Sequence, residues 1–101
     1  MHPVTYEGLH KWTVKSYEKL GWMILMLKYN NALKIKDYLE SLDRLKQAIE
    51  DKIQIIKEED RRVDLGILLE QVNYLIDFAN TNLKAAIESS PELKSAFGNR
   101  R

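Results

Sequence analysis

Three observations predict an all-α fold for this 101-residue chain. Apolar residues recur every three or four positions through most of its length, no segment alternates with a period of two, and only four glycines and two prolines interrupt it. The predicted architecture is an up-down-up three-helix bundle with a short C-terminal fourth helix. It forms a single domain over residues 1–98, followed by a basic tail at 99–101. Strong breaks occur only at Asn30-Asn31, in the charged run from Lys57 to Arg62, and at Ser89-Ser90-Pro91. The connections are therefore short, which makes consecutive helices antiparallel neighbours.

The first helix is predicted over about 5–29, with Thr5 as its N-cap. Its inward stripe is Leu9, Trp12, Ser16, Leu20, Met23, Ile24 and Leu27. Asn30-Asn31 stops it, because Asn tolerates the left-handed conformation that ends helices. The second helix is predicted over about 33–57. Ile35, Leu42, Ile49 and Ile56 fall seven apart, with Tyr38 and Leu45 between them, which is a coiled-coil-like seam. The seam drifts where Lys52 takes the next position and Ile53 takes over the apolar role, as a 3.6-residue helix in a globular bundle requires. Glu40 with Arg44 and Asp43 with Lys46 are spaced as neighbours on its outer face.

The third helix is predicted over about 62–87, with the acids Asp60 and Asp64 near its N-terminus. Leu65, Leu68, Leu69, Val72, Leu75, Ile76, Ala79 and Leu83 form its stripe. Gly66 in its first turns costs up to about 1 kcal/mol relative to Ala. A close helix approach and a tolerated weakness are equally good readings of it. Ser89 and Glu92 have capping-box spacing and Pro91 suits a first turn, so a fourth helix is predicted over 91–97, ending at Gly98.

Composition narrows the function. With 45% apolar and 31% charged residues, the chain is too apolar for disorder and too charged for a membrane span. Its longest apolar stretch, residues 20–27, falls well short of the roughly 20 residues needed to cross a bilayer. The opening Met1-His2-Pro3-Val4-Thr5 lacks the layout of a secretory signal, and a chain without cysteine fits a cytosol-like compartment. The absence of cysteine also excludes disulfides and thiolate chemistry. The net charge of +1 is divided: residues 1–36 carry six lysines against two glutamates, and the rest of the chain carries ten basic and thirteen acidic groups.

Motifs for chemistry are lacking. The glycines are isolated, so there is no phosphate-cradling loop. No serine stands in a nucleophile-elbow pattern, and His2 and His10 have no serine placed to complete a triad. Glu7-Gly8-Leu9-His10 has the Glu-x-x-His spacing of di-iron bundles, but such sites need two copies and two further glutamates. The expectation is a non-enzymatic protein with no cofactor, metal or small-molecule substrate.

Two binding surfaces remain. Trp22, Met26 and Tyr29 share a face of the first helix, with Leu25 beside them. Trp and Tyr are hot-spot residues, and Met makes adaptable contacts. This face predicts homo-oligomerisation or docking to another protein, with Tyr74 as a second contact. The competing expectation is that the C-terminal helix, through Leu93 and Phe97, or Tyr6 covers it. The alternative function is non-specific nucleic-acid binding or packaging. It would use Lys11, Lys15 and Lys19, spaced four apart on the first helix, with Arg100 and Arg101.

The stretches Leu9-His10-Lys11-Trp12 and Glu18-Lys19-Leu20-Gly21-Trp22-Met23 resemble those of small helical proteins encoded by nucleocytoplasmic large DNA viruses. Leu42-Asp43-Arg44-Leu45-Lys46 and Asp60-Arg61-Arg62 are similar in placement, so the resemblance covers roughly residues 6–80. It implies a virus-encoded accessory or virion-associated protein, a minor structural component inside a virion or host cell. It carries no catalytic residue over. Ile24-Leu25-Met26-Leu27 departs from the more polar, Ala-containing turn of that set, which separates this chain's partner surface from theirs.

Overall fold

A computed structural model describes residues 5–98, which form five helices and no strand. They are α1 (Tyr6–Glu18), α2 (Leu20–Lys28), α3 (Ala32–Ile55), α4 (Glu59–Ser89) and α5 (Pro91–Phe97). The all-helical expectation holds. The basic tail, including Arg100 and Arg101, lies outside the described residues.

The first predicted helix is divided at Lys19 into α1 and α2. The Tyr38 hydroxyl donates to the Ser16 carbonyl at 2.6 Å, the acceptor that an unbroken helix offers to the N–H of residue 20. A side chain inserted into the ladder in this way is a recognised cause of helix interruption. Lys19 keeps a right-handed helical conformation, so α2 continues in nearly the phase of α1. Thr5 caps α1 as expected, accepting from the Gly8 N–H at 3.0 Å.

Asn30 ends α2 with φ of 57°. The Asn30 N–H donates to the Leu27 carbonyl and the Asn31 N–H to that of Met26, which is the Schellman arrangement. Asn31 then turns from terminator to starter, its side chain accepting from the Lys34 N–H at 3.2 Å. At the far end, α3 stops at Ile55, and Arg62 closes the turn by donating to the Ile56 carbonyl at 2.8 Å. The final restart uses Ser90 where the spacing pointed to Ser89. Ser90 accepts from the Leu93 N–H at 3.3 Å, and α4 runs on through Ser89. The Ser90 hydroxyl also donates to the Asn30 side chain at 2.8 Å, joining two turns 60 residues apart.

The core consists of two clusters. Leu9 of α1, Leu45 and Ile49 of α3, and Leu65, Leu68 and Val72 of α4 form one. Met23 and Leu27 of α2, four residues of α3 from Ile35 to Leu42, Leu75, Ala79 and Leu83 of α4, and Leu93 and Phe97 of α5 belong to the other. Ile76 touches both. Ile24, expected inside, is exposed, because the buried stripe of α2 passes through Met23 and Leu27. No close helix approach explains Gly66 or Gly21, since a Cβ at either would meet nothing within 4 Å. The molecule measures 49 × 26 × 25 Å, and its 15.3 Å radius of gyration exceeds the roughly 13 Å of a compact 100-residue domain.

Two stability outcomes follow from this packing. Gly66→Ala should raise the urea midpoint, with a gain of up to about 1 kcal/mol, because the helix loses a flexible residue and the methyl group meets no obstacle. Leu42→Ala should lower stability by about 2–5 kcal/mol in the same titration, since Leu42 is wholly buried between α3 and its neighbours.

Candidate interaction surfaces

The residues expected to form one partner face are separated by the fold. Met26 is half-buried and rests on the larger core cluster, the one that includes Leu93 and Phe97. Trp22, Leu25 and Tyr29 stay exposed, at 47%, 41% and 67%. Of the four, only Met26 is drawn toward the core, and α5 packs on α3 and α4 and makes no close backbone approach to α2. Tyr6 packs over the smaller cluster.

Trp22 opens onto a cleft of about 470 Å³ between α1–α2 and α3. Trp12, Lys15, Lys19 and Trp22 line one wall, Lys34 and Asp37 the other, with Ser16, Tyr38 and Ser41 in its depth. Two expectations made separately, an aromatic patch and a lysine strip, thus meet here. Lys11 is exposed but lies outside the cleft. The Trp12 indole N–H donates to the Ser41 hydroxyl at 3.2 Å, and the Ser16 hydroxyl donates to the Trp12 carbonyl at 2.9 Å. Trp12, expected in the core, is half-buried because its polar edge reaches this partner across the groove. Trp12 and Lys34 were not foreseen as lining residues. Lys34 comes from another helix, so no spacing in the sequence relates it to Lys19.

A second surface lies along α1 and α4. The buried stripe of α4 is matched by another on its outer side. Val63, Ile67, Tyr74 and Phe78 are exposed at 55%, 52%, 64% and 38%, and the Tyr74 and Phe78 rings stack at 6.4 Å. Val14 and Tyr17 of α1 border this stripe, and the Tyr17 hydroxyl donates to the Gln71 carbonyl at 2.7 Å. Leu25 of α2 is exposed as well. Of these residues only Leu25 and Tyr74 had been singled out from the sequence. The signal for the rest was present: positions 63, 67, 74 and 78 repeat at helical spacing, but the stronger inner stripe masks them.

Phenols join the two surfaces. Burial, with Tyr17 nearby, pushes the Tyr38 hydroxyl up to about 12 from an ordinary 10.0. Burial, with Tyr74 nearby, raises Tyr17 as well. At the start of α1, Glu7 reaches Arg61 at 3.6 Å and His10 lies against the Tyr6 ring. Among the described residues, no three His, Asp or Glu side chains gather as a metal site, and no helix is long and apolar enough to cross a membrane.

No protein-family model, characterised protein or solved structure matches the chain.

The burial of Tyr38 makes stability depend on alkaline pH. An unfolded tyrosine loses its proton near pH 10, while folded Tyr38 keeps it to about 12. In that window only the unfolded state loses the proton, so stability is intact below pH 10 and falls as pH rises toward 12. Urea titrations at several alkaline pH values should show this fall, and Tyr38→Phe should reduce it, leaving the part that Tyr17 contributes.

Proposed function

We propose that this chain is a non-enzymatic helical interaction module that works by self-association, with the α1–α4 side as the contact face. One observation carries the reading: α4 is apolar on two opposite sides, and only one of them is covered by the fold. A contiguous exposed apolar stripe on a helix marks a contact surface. Ile67, Tyr74 and Phe78 with Val14, Tyr17 and Leu25 supply the aromatic and aliphatic surface that protein contacts use. A second copy of the chain presents the same patch, and self-complementary contacts of this kind close as symmetric dimers.

The reading includes an up-down-up path for the three long segments. It is supported by Glu7 meeting Arg61, Tyr17 meeting Gln71 and Asn30 meeting Ser90, pairs that advance together along both segments. The likeness of the Glu18–Met23 stretch to large-DNA-virus proteins supports an accessory or minor structural role in a viral assembly.

Sedimentation across the micromolar range should show an oligomer that persists at about 0.5 M salt, because apolar contacts are not screened. Ile67→Glu combined with Tyr74→Glu should give a monomer with unchanged helix content, both sites being exposed in the single chain. Trp22→Glu, on the α3 side, should leave the oligomer intact. An oligomer that survives the double substitution would place the contact elsewhere, and a monomeric parent chain would sink self-association.

A further inference from the structure

The cleft between α1–α2 and α3 holds chemistry that self-association through the α1–α4 side leaves unused. We propose that it is a groove for single-stranded nucleic acid, with a base stacked on Trp22 and phosphates held by Lys15, Lys19 and Lys34. The charge is one-sided, since these three lysines face a single carboxylate, Asp37. Lys15 and Lys19 stand one turn apart, about 6 Å along the helix, and Lys11 continues the row beyond the cleft. Trp22 keeps nearly half its surface free, and no core contact requires its ring.

Trp12 is held in place by its bond to Ser41, so the groove has one fixed indole and one open one. Basic grooves interleaved with aromatic faces are the recurring means of holding single strands, because every base offers a π-face to stack. The hydroxyls in the depth of the cleft are already engaged, Ser16 with the Trp12 carbonyl and Tyr38 with that of Ser16. Few groups are left to read base edges, so binding is sequence-tolerant. A duplex keeps its base faces stacked inside, and an acidic peptide would satisfy the lysines while leaving the indole unused.

The probe is an oligothymidylate titrated into the full chain at low salt, followed by tryptophan emission. Quenching is expected, with a log–log salt slope of about −2 for three neutralised phosphates, or roughly twentyfold weaker binding between about 50 and 200 mM salt. Trp22→Ala should weaken binding about tenfold, and Lys15→Glu with Lys19→Glu should remove it. All three positions are exposed, and circular dichroism checks that the helices persist. The self-association variant Ile67→Glu, Tyr74→Glu should bind as the parent does, which keeps the two proposals separable. Four results would overturn the groove: no quenching at low salt, unchanged affinity in Trp22→Ala, equal binding and quenching by polyglutamate, or loss of binding in the self-association variant.

Discussion

The seam between α3 and α4 organises the molecule. Leu42, Leu45 and Ile49 of one helix and Leu65, Leu68, Val72 and Leu75 of the other are removed from solvent almost completely. Helical stability in proteins comes mainly from packing an amphipathic face against a partner, and here each long helix supplies the other's partner. The seam also fixes the rotation of both helices about their axes. Once Leu65, Leu68 and Val72 point inward, Ile67, Tyr74 and Phe78 must point away. The exposed stripe is thus a consequence of the same contact that builds the core.

The smaller helices take their positions from that seam. Leu9 of α1 enters the cluster at one end, and Met23 and Leu27 of α2, with Leu93 and Phe97 of α5, enter at the other. One hydrogen bond, from the Tyr38 hydroxyl to the Ser16 carbonyl, sits where α1 gives way to α2. It ties the seam to the break in the first helix and forms part of the cleft wall. The same buried phenol therefore shapes a local backbone feature and the groove in which Trp22 and the lysines meet.

The two surfaces differ in chemistry as well as place. The α1–α4 side offers aliphatic and aromatic area with one internal bond, Tyr17 to Gln71, at its border. The α1–α3 cleft gathers three of the six lysines in residues 1–36.

Local sequence determined the long helical segments, the cap at Thr5, the stop at Asn30-Asn31 and most of the core, because these depend on neighbours within a few residues. Ile35, Leu42 and Ile49, seven apart in the sequence, are all fully buried. Tertiary structure decided what depends on contacts across the chain. The break at Lys19 needed a hydroxyl 22 positions from the carbonyl it engages. Met26 was drawn toward the core while Trp22 was left at a groove, although the two stand one turn apart on the same helix. Lys34 joined Lys19 only because α3 folds back along α1 and α2. A helical repeat shows which residues share a face, but only the neighbouring helices determine which faces are covered.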